Sequence, residues 1–164
     1  MNWAYRLIRH TPDTEVGIAA RWTVRNGDYF EPGFRIFVHP LQAFFGWIPT
    51  NEWQWPGLRR LVAGLGRYSG LYAAALERFV RRWQPEVLHA HFGSVGVEHI
   101  RLAQKCGLPL VVSFYGYDLS SLPTARPVYR AHYQRLFAAA AKVIVPGSAS
   151  AATLQELGCP AAKL

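Results

Sequence analysis

The sequence predicts an α/β fold: a doubly wound, mainly parallel sheet with helices on both faces. Three observations predict it. From Glu86 onward the chain reads strand, helix, strand, helix, strand, helix. The strand segments are short, continuous and apolar, as in a parallel sheet covered on both sides. The chain has 164 residues, of which 51% are hydrophobic and 14% aromatic, so it has the length of one domain and apolar content for a sizeable core.

Taken in order, Asn2 to His10 reads as a short helix with Trp3, Leu7 and Ile8 on one stripe, ended by Thr11-Pro12-Asp13. The segments EVGIAA (15–20) and FRIFVH (34–39) read as strands, separated by the turn-rich RNGDYFEPG. LQAFFGWIPTNEWQWPG (41–57) carries three tryptophans and two phenylalanines among glycines and prolines. It reads as an irregular, partly exposed binding loop, or as a loop packed onto the sheet by its aromatics. From Leu58 to Trp83 the pattern is helical, interrupted near Gly64 to Gly66 and Ser69-Gly70. Leu71, Ala75, Leu76, Phe79 and Val80 share one apolar face, and Arg78, Arg81 and Arg82 face away.

Pro85 stops that helix, and EVLHAHF (86–92) reads as a strand. Gly93-Ser94 leads into a helix over Val95 to Cys106, which Gly107 closes. LPLVVSF (108–114) reads as a buried strand, and Tyr115 to Asp118 as the turn that follows it. Pro127 to Ala140 reads as a helix with Tyr129, Tyr133, Leu136 and Phe137 inward. KVIVP (142–146) reads as a short strand. Ser148 or Ser150 is expected to cap a last helix over 150–157, ended by Gly158 and Pro160.

Right-handed crossovers bring the loops after these strands to one edge of the sheet. Ligands of open parallel sheets bind outside the carboxyl ends of the strands. That edge collects Phe92-Gly93-Ser94, Phe114 to Asp118, and Pro146-Gly147-Ser148.

The formal charge of +8 favours acidic partners, including phosphate-bearing substrates and anionic lipid headgroups. The basic residues are scattered, with only short pairs at Arg59-Arg60 and Arg81-Arg82, so nucleic acid is not an expected partner. Cys106 and Cys159 form no CxxC or metal-type spacing, which fits a reducing compartment. The first residues lack the apolar core of a signal peptide, and there is no apolar run of about 18 residues or more. A cytoplasmic protein is expected.

His89 and His91 lie two apart on a strand and share a face, which is half of a metal site. The candidate third ligands, Asp118 and His99, match no metal-ligand spacing, so no metal is expected. His91, nearest the loop, is the candidate polar contact to a ligand. Gly93-Ser94-Val95-Gly96 joins a strand to a helix N-terminus, where N–H groups and the helix dipole suit an anion or a sugar, or where the glycines merely make a tight turn. GLGRYS (64–69) mimics a dinucleotide fingerprint but follows a helical pattern and not a strand. There is no nucleophile elbow and no carboxylate pair of glycosidase type. Asp118 is the one carboxylate in a loop at the binding edge, as a ligand contact or as an Asx-turn or cap. Tyr115 and Tyr117 offer aromatic faces beside polar groups, which suits sugar rings.

PEVLHAHFGSVG, LPLVVSFYGYDLSSLP and LFAAAAKVIVPGSASAATLQELGCPAAKL together resemble the family 4 glycosyltransferases, closest to the colanic-acid and exopolysaccharide branch. The resemblance covers residues 85–164 strongly and the front half weakly. It implies one half of a GT-B fold, in which two Rossmann-like domains face a cleft. It also implies retaining glycosyl transfer without an obligatory metal. In that fold the N-terminal domain takes the acceptor and the other domain the nucleotide-sugar, a substrate and not a cofactor. Most members carry histidine where this chain has Tyr115, and tyrosine cannot serve as the same near-neutral acid or base. Tyr115 and Gly116 therefore carry over as cleft-lining positions. With His91, Gly93, Ser94 and Asp118 they form the expected substrate-binding set, and no catalytic residue is assigned.

Against the family pattern, a first strand before NWAYRLIRH and a donor domain after Leu164 are missing. The expectation is a clipped acceptor-side half, inactive alone, taking a lipid-linked or polysaccharide acceptor at the inner face of the membrane and needing a donor-domain partner. The alternative is a stand-alone α/β module that binds an anion at Gly93 without catalysis.

Overall fold

The computed structural model describes residues 13–20, 35–38 and 70–164. The helix expected over residues 2–10, the tryptophan-rich segment 41–57 and the helical pattern before Gly70 lie outside the described residues. The chain divides into two compact units, Met1–Arg82 and Trp83–Leu164.

In the first unit, β1 (Gly17–Ala20) and β2 (Arg35–Val38) pair in parallel, with Gly17 opposite Arg35 and Ala20 opposite Val38. Both strands were expected. Arg35 donates to the Glu15 carboxylate at 2.8 Å. The helix α1 (Gly70–Trp83) sets Tyr72 and Phe79 against the Phe37 ring at 6.0 and 5.2 Å. Leu76 and Val80 are buried, while Arg78, Arg81 and Arg82 are exposed, as the periodicity requires.

The second unit is built on three parallel strands in the order β3 (Leu88–His91), β4 (Leu110–Ser113), β5 (Lys142–Ile144). Leu88 pairs with Leu110, His91 with Ser113, and Ser113 with Ile144, so all three strands end at one edge. Between and after them run α2 (Gly93–Cys106), α3 (Leu122–Ala125), α4 (Val128–Ala139) and α5 (Ser148–Glu156). The architecture is α/β, with parallel sheets flanked by helices, as the strand-helix alternation predicts.

The central strand explains the core. Leu110, Val112 and Phe114 are all but fully buried and meet Tyr133, Leu136 and Phe137 of α4 and Leu154 of α5. Burying each such side chain stabilises the fold by roughly 1.5–3 kcal/mol. Phe114 meets Tyr133 edge to face at 5.1 Å. The helix α2 packs on β3, β4 and α4. It ends at Gly107, whose φ of 67° is the left-handed conformation that glycine adopts without a Cβ penalty. Lys163 closes the end of α4 by donating to the carbonyls of Phe137, Ala138 and Ala140 at 2.6, 3.0 and 2.9 Å.

Two local expectations are corrected. Neither Ser148 nor Ser150 caps α5. Gly147 occupies the N-cap position, and there is no side-chain cap. The segment from Tyr117 is also not an isolated turn. Tyr117–Ser121 forms a π-helical turn that runs into α3. Pro123 supplies the reason: it has no N–H for the Leu119 carbonyl, and its ring crowds that carbonyl, so the coil widens before it. The Leu122 N–H then bonds to the Tyr117 carbonyl, five residues back.

Candidate functional site

The carboxyl edge of β3 and β4 carries a continuous polar and aromatic row. Along β3, His89 and His91 fall on one face, and their rings lie 4.4 Å apart. Each reaches a hydroxyl two positions beyond its register partner on the β4 side. His89 Nε2 shares a hydrogen bond with Ser113 Oγ at 2.8 Å, and His91 Nδ1 shares one with the Tyr115 hydroxyl at 2.9 Å. Burial lowers the pKa of His89. Burial, and then the neighbouring His89, lower His91 to about 4. His91 is therefore a neutral imidazole at physiological pH. Burial raises the Tyr115 hydroxyl above its ordinary value, with Asp118 adding to the rise and a bond to Ser113 opposing it. The row holds protons without carrying charge.

Asp118 organises this edge from beneath. Its side chain is fully buried. One carboxylate oxygen accepts the Gly93 N–H at 2.5 Å, and the other accepts the Tyr115 N–H at 2.8 Å. The loop after β3 and the loop after β4 are thus tied through a single side chain. Tyr133, from α4, donates its hydroxyl to the Asp118 carbonyl at 3.0 Å and holds the backbone of the clamp. Burial raises the Asp118 pKa, against the opposing effect of its backbone N–H donors. Charge-assisted bonds of this kind are about twice as strong as neutral ones.

This geometry changes the reading of several expected site residues. Asp118 is neither an Asx-turn residue nor an exposed ligand contact; it is an internal bridge. The Gly93 N–H, expected to face an anion, is given to the protein's own carboxylate. The glycines at this junction serve packing. A Cβ on Gly93 would stand 2.2 Å from the Phe114 ring, and one on Gly96 would stand 3.1 Å from Leu136 and Val112. Gly116 adopts ordinary helical angles, φ −52° and ψ −43°, so it does not enable the turn by a glycine-only conformation. Ser94 lies in the first turn of α2, half-buried beside Gly93. The structure therefore gathers His91, Gly93, Tyr115 and Asp118 into one network, with Ser94 and Gly116 beside it in the chain.

Among the described residues, no three His, Cys, Asp or Glu side chains are grouped to hold a metal ion. Of the third ligands considered, His99 Nδ1 lies 2.7 Å from the Val95 carbonyl, and Asp118 is engaged as described. No helix among the described residues is long and apolar enough to cross a membrane.

Phe92, placed at the binding edge by the sequence but not among the expected site residues, has a backbone conformation that the sequence did not announce. It is half-buried at the end of β3, with φ 76° and ψ 136°. Asp13 and Gln84 also have positive φ, but Phe92 lies well outside the left-handed helical well. Such backbone costs of order 1–3 kcal/mol. Its N–H donates to the Ser113 carbonyl at 2.8 Å, and its carbonyl accepts the Gly96 N–H at 3.0 Å. The residue that ends the strand thus also starts the helix. Its ring stands 4.9 Å from that of Tyr115, inclined at 56°. The signal in the sequence was its place at the carboxyl end of a strand, between His91 and Gly93.

A family model described as a glycosyl transferase 4-like domain matches residues 8–164. No curated protein and no solved structure matches the chain.

Proposed function

Since the chain belongs to the glycosyl transferase 4-like domain family, we propose that it is the acceptor-side half of a retaining sugar transferase of GT-B architecture, closest to the exopolysaccharide branch. It takes a lipid-linked or polysaccharide acceptor at the carboxyl edge of β3 and β4. A nucleotide-sugar, held by a second domain, serves as donor substrate. The observation that carries this reading is the bridge of Asp118 to Gly93 and Tyr115. It fixes two loops at the ligand-binding edge of a parallel sheet and sets Tyr115 against a neutral His91. The formal charge of +8 supports a phosphate-bearing acceptor and a cytoplasmic, peripheral position at the membrane.

On this reading the chain contributes positioning, which accounts for much of the rate in reactions between two bound partners. Tyr115 and His91 present hydroxyl and imidazole groups to hydroxyls of the acceptor. Charge on the departing nucleotide is met by the donor domain. The 164 residues alone are then inactive. The test supplies a donor domain, covalently or as a partner, and screens nucleotide-sugars with a lipid-linked acceptor. Transfer is expected only with the donor domain present. Transfer by the isolated chain overturns the half-enzyme reading. A stand-alone anion-binding module is less well supported, because the Gly93 N–H is committed to Asp118.

A further inference from the structure

The geometry points to Phe92 and Tyr115 as a two-ring corner that receives the apolar C–H face of a pyranose ring, with Phe92 a specificity-determining residue of the acceptor site. The inference rests on the sugar-transferase reading above and goes beyond it by assigning a residue and the face of the sugar that it meets.

Three observations carry it. First, a phenylalanine stands where the backbone favours glycine. Its φ of 76° is set by the junction, since residue 92 both completes the sheet and opens α2. Second, among the described residues Phe92 belongs neither to the buried cluster nor to the partly buried apolar side chains packed on it, such as Leu88 of β3 and Val97 and Ile100 of α2. Strain retained at a side chain outside the core is characteristic of ligand contacts. Third, the ring meets that of Tyr115 at 4.9 Å, with the two planes inclined at 56°, so the pair sets two aromatic rings at an angle beside the strand end. The Tyr115 hydroxyl and His91, 2.9 Å apart, border that corner with hydrogen-bonding groups. Apolar faces edged by a few fixed polar groups are the usual make-up of a small-ligand site. They match a pyranose, which has one C–H face and a rim of hydroxyls.

The test is saturation-transfer NMR on the 164-residue chain with methyl β-D-glucopyranoside, methyl β-D-galactopyranoside and methyl α-D-mannopyranoside, beside thermal melts of each variant. Wild type is expected to transfer saturation to the ring C–H protons of at least one glycoside. Phe92→Gly is expected to weaken that transfer roughly tenfold, the size of one aromatic contact. It should melt at or above wild type and above Phe92→Ala, because glycine relieves the strained backbone and alanine does not. Phe92→Tyr and Phe92→Trp are expected to keep the signal. Unchanged transfer in Phe92→Gly overturns this inference and leaves the sugar-transferase reading standing. A Phe92→Gly melt well below wild type, matching Phe92→Ala, makes the ring a packing residue and also overturns it. No transfer to any of the glycosides in wild type counts against the sugar-binding edge itself and removes both.

Discussion

His91 sets the pH response of the candidate site. Its folded pKa is about 4 against 6.5 in the unfolded chain. Between these values the unfolded chain holds more protons, so the His91 contribution makes stability fall as pH drops from 6.5 towards 4. Asp118, whose carboxyl is raised by burial, acts in the opposite sense. The two are separated by comparing wild type with His91→Gln. The melting-temperature advantage of wild type is expected to be constant above pH 6.5 and to shrink down to pH 4. Asp118 itself is the most sensitive single position. Asp118→Ala leaves the buried Gly93 N–H and the part-buried Tyr115 N–H without their carboxylate and is expected to cost about 3 kcal/mol in urea or thermal unfolding. A loss below about 0.5 kcal/mol would show that the bridge is not made in solution. At this scale the sequence was only partly legible. His91 and Tyr115 were visible as polar residues at a strand end. The Asp118–Gly93 bond joins residues 25 apart, across neighbouring strands, and no local pattern encodes it. The positive φ of Phe92 likewise follows from where the sheet ends and not from the residue type.

At the scale of elements, the junction between β3 and α2 is governed by close packing against β4. Gly93→Ala drives a Cβ to 2.2 Å from Phe114, whose ring is fully buried and has nowhere to go. The expected loss is about 1–3 kcal/mol or more by thermal melt. Gly96→Ala, with contacts at 3.1 Å, should lose less. Gly116→Ala is the contrasting case. Nothing lies within 4 Å of its Cβ, and its backbone is helical, so the change should be neutral or stabilise by up to about 1 kcal/mol. If Gly93→Ala and Gly116→Ala melt alike, the packing account of the junction is wrong. Strands and helices were readable because buried parallel strands are short apolar runs and the helices between them keep one apolar face. The π-helical turn at Tyr117–Ser121 was not, since Tyr-Gly-Tyr-Asp carries turn-forming residues. What decides its shape is Pro123, two residues beyond it.

At the scale of the whole molecule, the α/β class was legible from the order of elements after Glu86, and the second unit carries that order in its parallel sheet. The phosphate-bearing character of the acceptor and the membrane surface rest on charge and not on the sheet. The excess of basic residues predicts salt-sensitive co-sedimentation with phosphatidylglycerol vesicles, falling as ionic strength rises, with roughly 1 kcal/mol from each well-placed Lys or Arg. Co-sedimentation that does not respond to salt would remove the electrostatic basis of that proposal. The central claim is that the edge where β3 and β4 end receives a sugar acceptor. Amide NMR of the isotope-labelled chain, titrated with a glycoside or a short polysaccharide acceptor, tests it most directly. The account predicts shifts concentrated at residues 91–94 and 113–118, abolished in Tyr115→Ala. Shifts centred elsewhere in the second unit, or unchanged by Tyr115→Ala, would contradict it.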